Sequence, residues 1–543
     1  MTRLLLFTLI FLPMCLFAQP QALDTGMVID EYLNAKGNAI RLVYEKHNDQ
    51  LLYITGEGNI YGLSEDQNGN VSETHLFTPL DHEITFVQGM AIRDSVMVVC
   101  GNVDAFEPTT VGKVALAHLN SSGNWVWRNL VTTVPYESAN NFDHLFSGIV
   151  ISEDGNDVIW CSGARGTHGE IQTYDGRYPG LRGLPITNIL LSVPINSPSI
   201  TLQNDSAWLA NNNYVYARGT RNFFDLEYTS DGKLYALENS GDRDDPEEMN
   251  EIIKGEHYGY PWTMGGNENP MQYVPFDPEN DLLINKYCKA MQRGYFYEDA
   301  DFPQAPNISF KEPIKNYGPD ADYYRDPVSG AVKKASDTGG FITTFSSHRS
   351  PLGLAFENNN LSDPRLKGMG FMLSWTPGGD ANGWRYAGND TITGTFVDES
   401  EDLVMISPRN GSFNEINSYR LARNFNTPID LAIARNKMYI LEYDYTSPKI
   451  YSITFSGTTS IKERNLDDAF SVYPNPTDNI LNLEYDDKLS FKQMLIIDGL
   501  GRKMHEYHQA TSKLDLGGLK AGIYCLQITD THGNTGTKRI MIK

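Results

Sequence analysis

Residues 236–248 read ALENSGDRDDPEE, and five of the last seven are acids. Two chemistries fit such a run. Like charges at this spacing repel one another, and chains ordinarily leave them in water, which makes the stretch a solvated loop. A hard cation such as Ca²⁺ takes several oxygens from carboxylates and backbone carbonyls held on a bent loop, and this stretch supplies both kinds. The sequence on either side of the run alternates apolar and polar residues, so whatever the acids do, strands position them.

The same arrangement of strand, tight turn and strand recurs along the chain. It appears in RLVYEKHNDQLLYITGEG (41–58), GMAIRDSVMVVCGN (89–102), GIVISEDGNDVIWCSG (148–163), DLEYTSDGKLYALEN (225–239), GLAFENNN with MGFMLSW (353–375) and DLAIARNKMYILEYD (430–444). Each alternates on both sides of a turn rich in Asp, Asn and Gly, the pattern of a half-buried hairpin. One hairpin is marginal by itself. Six of them over some four hundred residues, with almost no helical periodicity, predict an all-β chain whose main domain, 19–455, is a six-bladed β-propeller. Two stacked β domains are the alternative. The long 250–345 stretch then forms loops or inserted elements above one face.

Composition changes at 456–468, SGTTSIKERNLDD, a polar linker. The remainder, 469–543, has a proline-rich entry, Gly-centred turns and alternating strands, which predict a small C-terminal β-sandwich. Residues 1–18, MTRLLLFTLIFLPMCLFA, have one Arg and a short apolar core, the pattern of a secretory signal peptide. No later stretch is long and apolar enough to form a transmembrane segment. The net charge of -24 argues against nucleic acid as a partner, because phosphate binders concentrate Lys and Arg. Cys100, Cys161, Cys288 and Cys525 are widely spaced and outside CxxC pairs, which disfavours zinc and leaves a disulfide open.

The tail carries Tyr473-Pro474-Asn475-Pro476, Gly501-Arg502, Gly522-Ile523-Tyr524 and the basic terminal strand 538–543. Together these resemble the C-terminal sorting domain of the type IX secretion system. The resemblance implies export through the periplasm of a Gram-negative cell, with the secretion machinery as partner and a secreted or cell-surface destination.

A second resemblance lies in 221–261. Arg221-Asn222, the Asp231-Gly232 turn, the acidic loop, Glu247-Glu248-Met249-Asn250 and Gly255-Glu256-His257-Tyr258-Gly259-Tyr260-Pro261 follow one another in the register of the glucose/sorbosone dehydrogenase family. That family comprises soluble six-bladed propellers that use pyrroloquinoline quinone (PQQ) and calcium, and the likeness extends over roughly 40–455. It implies a sugar or glycan substrate, oxidised at its anomeric hydroxyl while hydride passes to the quinone. His144, in NNFDHLFSGIVISEDG, stands at the family's general base, a role suited to an imidazole whose pKa lies near neutral. Arg221 and Asn222 stand where cofactor and substrate meet, and Arg385 where a cofactor-binding lysine is common; guanidinium groups suit the carboxylates of PQQ. For calcium the resemblance implies the Glu247 carboxylate and carbonyls near Ser240 and Tyr258, with Asp245 and Glu248 as neighbours.

The chain also departs from that pattern. Ser147-Gly148 replaces Gly-Arg after the histidine, Gly163-Ala164 replaces the Gly-Asp step whose carboxylate orients it, and Ile84 takes the place of a substrate-side Gln. Two functions therefore remain open at this point: a PQQ-dependent aldose dehydrogenase, and a propeller that binds a glycan or another ligand without redox chemistry.

Overall fold

The computed structural model describes residues 19–543 except 106, 139–142, 174, 175, 274, 298, 300, 377, 380–396, 399, 457–469, 486–490, 499–501, 508–510 and 531–534. The leader, Arg385 and nearly all of the linker lie outside the described residues. The chain divides into two compact units, Met1–Ser456 and Gly457–Lys543.

In the first unit all six hairpins form. Representative pairs are Leu42 opposite Tyr53, Met90 opposite Val99, Val150 opposite Ile159, Leu226 opposite Ala236, Leu354 opposite Met372 and Leu431 opposite Ile440. Turn chemistry fixes this register. In the last hairpin Ala434 pairs with Lys437, and the two residues between them, Arg435 and Asn436, both have positive φ, as a two-residue turn matching the strand twist requires.

The first strands of the hairpins are Ala39–Glu45, Phe86–Arg93, Phe146–Ile151, Phe223–Tyr228, Pro351–Phe356 and Pro428–Ala434. Each packs against the next, and the sixth packs against the first. A ring that closes at six is a six-bladed propeller, and it rules out two stacked β domains. Its apolar layers lie between neighbouring blades. Phe146, Ile149 and Trp160 pack with Val98 and Val114 of the blade before, and Leu431 and Ile440 pack with Leu373 and Leu403.

The sixth blade is completed by a strand from the other end of the unit. Met27–Asn34 runs antiparallel to Lys449–Phe455, with Met27 opposite Phe455. The fourth blade has three strands, Phe223–Tyr228, Leu234–Glu238 and Glu248–Glu251. Part of the 250–345 insertion joins the fifth blade, where Lys315–Pro319 lies parallel to Ser412–Arg423. The rest has a small apolar cluster of its own around Met271, Ile284, Phe296 and Phe302. It sits on the loop that follows the second strand of blade three: the Tyr260 hydroxyl donates to the Gly166 carbonyl at 3.0 Å and the Asn269 amide to the His168 carbonyl at 2.8 Å.

The second unit is a sandwich. One sheet holds Phe470–Tyr473, Ile480–Tyr485 and Lys513–Asp515; the other holds Phe491–Asp498, Lys503–Tyr507, Gly522–Asp530 and Thr535–Ile542. Leu481, Leu483, Met494, Ile496, Leu526, Ile528 and Ile540 fill the space between them. Among the described residues Cys100, Cys161, Cys288 and Cys525 form no disulfide.

Candidate active site

His144 immediately precedes the inner strand of blade three, and Arg221 and Asn222 precede that of blade four, so the chain entering two adjacent blades brings them to one end of the ring. The His144 Nδ1 lies 2.9 Å from the Ala164 carbonyl. A carbonyl only accepts, so Nδ1 carries the proton and Nε2 keeps its lone pair. The carboxylate missing at 164 is thus replaced in part by a backbone oxygen, which fixes the tautomer but brings no negative charge to stabilise an imidazolium. Burial, followed by the positive charge of Arg221, pushes the His144 pKa down to about 3, with the Ala164 bond pulling the other way. The imidazole is therefore neutral throughout the physiological range. Gln88, which the sequence reading passed over, donates its amide to the His144 carbonyl at 2.9 Å and holds the backbone there.

Arg221 is buried. Its Nε donates to the Thr167 carbonyl at 3.0 Å and its Nη1 to the Asn239 carbonyl at 2.8 Å. Among the described residues no carboxylate lies within ion-pair distance of its guanidinium. Asn222 donates its amide to Asn239 Oδ1 at 2.7 Å, and the Ser147 hydroxyl donates to the Phe223 carbonyl at 3.3 Å. The result is a lone-pair nitrogen beside a buried cation whose charge is not matched by a direct ion pair. A group bearing carboxylates fits that cation, and Arg221 and Asn222 are the residues that would hold it.

The acidic loop is neither of the things its composition suggested. Every residue from 236 to 250 is buried, so it is not a solvated turn. Its acids do not converge on a cation either, because each already has partners. Asp244 accepts from Arg325 Nε at 2.7 Å and lies 2.6 Å from His348 Nε2. Asp245 pairs with Arg243 and accepts from Asn267 at 2.9 Å. The Glu247 carboxylate accepts the backbone N–H groups of Ser240 and Ser350. Glu248 accepts from the Gly265 N–H at 2.6 Å and the Asn250 amide at 2.9 Å. Tyr258 donates its hydroxyl to the Glu251 carbonyl at 2.9 Å. Among the described residues no group of three or more His, Cys, Asp or Glu is arranged to hold a metal. The carboxylates of the set proposed from sequence, Asp245, Glu247 and Glu248, therefore do not fit Ca²⁺ as arranged, because an arginine and N–H groups already bond their oxygens; the carbonyls near Ser240 and Tyr258 are the other part of that set.

One pair in this loop was not foreseen. Glu238 and Glu248 stand opposite each other on neighbouring strands. Glu238 Oε1 accepts the N–H groups of Arg221 and Asn222, while its buried Oε2 has no partner. Burial, and then the Glu248 charge, hold the Glu238 pKa well above the usual carboxylate range; burial pushes Glu248 up to about 7. A raised folded-state pKa contributes stability that is complete below the unfolded value and is lost as pH rises through the folded one. The melting temperature is therefore expected to fall between about pH 4.5 and pH 7. Glu248→Gln, whose amide can donate to Glu238, should flatten that fall in scans at successive pH values; an unchanged slope would assign it to other groups.

Comparison with known proteins bears on the two units differently. Residues 471–543 match the family model described as "Secretion system C-terminal sorting domain". A search of curated proteins returns no match. Among solved structures, the PQQ domain of pyranose dehydrogenase from Coprinopsis cinerea is 14% identical, with a TM-score of 0.47, covering 80% of this chain and 97% of that one. The PQQ-bound aldose sugar dehydrogenase from Streptomyces coelicolor is 12% identical, with a TM-score of 0.43, covering 80% and 100%. The soluble aldose sugar dehydrogenase from Escherichia coli, in apo form, is 12% identical, with a TM-score of 0.44, covering 79% and 99%. Likeness at this level carries no information on activity.

Proposed function

We propose that the chain is an exported dehydrogenase that oxidises the anomeric hydroxyl of an aldose or related sugar with PQQ as cofactor. The observation that carries this reading is the His144 tautomer, with Nδ1–H given to the Ala164 carbonyl and Nε2 free beside the cation of Arg221. Bound there, the quinone would accept hydride from the anomeric carbon. The protein's own part is to hold and to deprotonate. Arg221 and Asn222 would bind the cofactor's polar edge, with Arg385 as a further candidate outside the described residues, and His144 Nε2 would take the hydroxyl proton. The test is reconstitution of the purified chain with PQQ, followed by absorbance and dye reduction across a panel of aldoses; no binding and no turnover would remove the dehydrogenase reading.

One observation favours a second reading, a propeller that binds a glycan without redox chemistry. An imidazole with a pKa near 3 and a carbonyl partner is a weak base, since a general base works best with a pKa near the working pH. In that case glycan binding would persist while PQQ left the protein unchanged.

Export rests on the tail. The match at 471–543 supports recognition by type IX secretion machinery, with a secreted or surface-attached product. A chain ending at Ser456 keeps the whole propeller, and is expected to fold, to melt as one cooperative unit and to accumulate inside the cell envelope. Equal appearance in the medium of the truncated and full chains would show that the tail is not the signal.

A further inference from the structure

A cavity of about 380 Å³ opens beside the candidate active site, between the 163–188 loop of blade three and the start of the inserted segment. It lies within the range of small-ligand sites. Arg165 and Gly166, in its wall, follow directly on Ala164, the residue that accepts the His144 proton.

Its polar groups differ in how far they are already committed. Arg182 is paired with Asp299 and bonded to the Gly169 carbonyl at 2.6 Å. Glu170 is turned into the protein, where its carboxylate accepts the N–H groups of Thr167 and His168. Arg165 is 2% exposed; it gives its terminal nitrogens to the Gln172 and Ser138 carbonyls, and its buried Nε makes no hydrogen bond but lies 3.9 Å from the Asp143 carboxylate. Arg218 is half-buried and, among the described residues, its guanidinium has neither a hydrogen bond nor an ion pair. Beside it His257 accepts the Gly259 N–H on Nδ1 at 3.1 Å. Burial and the Arg218 charge keep this imidazole neutral, so its other nitrogen, Nε2, is a donor.

An uncommitted guanidinium next to an N–H donor is the arrangement that binds a carboxylate by two parallel hydrogen bonds. The wall beside it is aromatic. Trp262 is held in place by its indole N–H, donated to the Pro303 carbonyl at 2.8 Å, and by stacking on Phe310 with the rings 7° from parallel. A fixed indole, with Asn188 and Thr187 as neutral polar groups in the same lining, suits a hydroxylated ring more than an inorganic anion.

We propose that this cavity is a binding site for a carboxylate-bearing sugar, a hexuronate or the uronate residue of an acidic glycan, with Arg218 as the carboxylate ligand and Trp262 as the platform. It goes beyond the reading of the His144 site and does not depend on PQQ.

The test is calorimetry on the full chain without PQQ, using D-glucuronate, D-glucose and inorganic phosphate. Glucuronate is expected to bind at least about tenfold more tightly than glucose, with phosphate weaker than glucuronate. Arg218→Gln should remove that preference and leave glucose binding unchanged, while Arg218→Lys should keep part of it. Because Arg218 has no partner to lose, these variants should melt like the wild type. His144→Gln should bind glucuronate normally, so failure of dehydrogenation and failure of this site can be told apart. Equal binding of glucuronate and glucose, or a preference that survives Arg218→Gln, would overturn the proposal. So would phosphate matching glucuronate, which would leave an anion site with no sugar specificity.

Discussion

His144→Gln is expected to cut PQQ-dependent turnover by about a hundredfold to ten-thousandfold, the usual effect of removing a positioned base. Glutamine keeps a polar group that can reach the Ala164 carbonyl, so the loop and the melting temperature should change little. The pH profile gives a second readout. A free histidine would impose an acid limb near pH 6 to 7. His144, pushed down to about 3, takes up its proton only in strong acid, so kcat/KM should show no imidazole limb between about pH 5 and pH 8. Turnover unaffected by the substitution would move the base elsewhere while leaving the enzyme class intact. An acid limb near pH 6.5 that disappears in the variant would show that the imidazole is far better solvated than its place behind Ala164 implies.

Asp244→Ala is expected to be the most destabilising change in the acidic loop. Burial acts to raise the Asp244 pKa, but the bond to His348 and the charges of His348 and Arg325 bring it below the usual carboxylate range. Removing the carboxylate takes a charged partner from a buried guanidinium and a buried imidazole at once, and breaking such a pair from one side costs about 3–5 kcal/mol. Urea unfolding should show this as a lower midpoint at unchanged slope. Wild-type melting curves in chelator and in millimolar calcium should coincide, because the carboxylates of Asp244, Asp245, Glu247 and Glu248 already bond Arg325, Arg243 and backbone amides. Strong stabilisation by calcium would mean that the loop rearranges to admit the ion.

Particular residues show why the fold was more legible than the site. The hairpins could be read because alternation and turn residues are local: Asp231-Gly232 and Arg435-Asn436 specify their turns with no help from distant parts of the chain. The acidic loop could not, because its partners are remote. Arg325 and His348 come 81 and 104 residues after Asp244, and nothing in DRDDPEE names them. The orienting group for His144 was sought among side chains at 164, where alanine supplies none. The structure answers with that residue's carbonyl, a group every amino acid has and no reading of residue types can single out. The Ala164 methyl packs with Tyr260 and Met264, so Ala164→Asp would bury a carboxylate in an apolar contact instead of presenting it to the imidazole. Gln88 was nearer to hand: it adjoins a hairpin already identified, and only its contact with the His144 carbonyl was beyond reach.

The pairing of Met27–Asn34 with Lys449–Phe455 sets the order in which the ring can be assembled. The first of these strands to be synthesised cannot find its neighbour until the last has been made, so the final step joins segments more than 400 residues apart, the kind of non-local contact that makes folding slow. Until then the sixth sheet presents an open strand edge, a template for pairing with other chains. Aggregation during production should therefore depend on how long that edge waits, and a circularly permuted chain that joins 455 to 27–34 through a short turn would shorten the wait while keeping the pairing of the two strands.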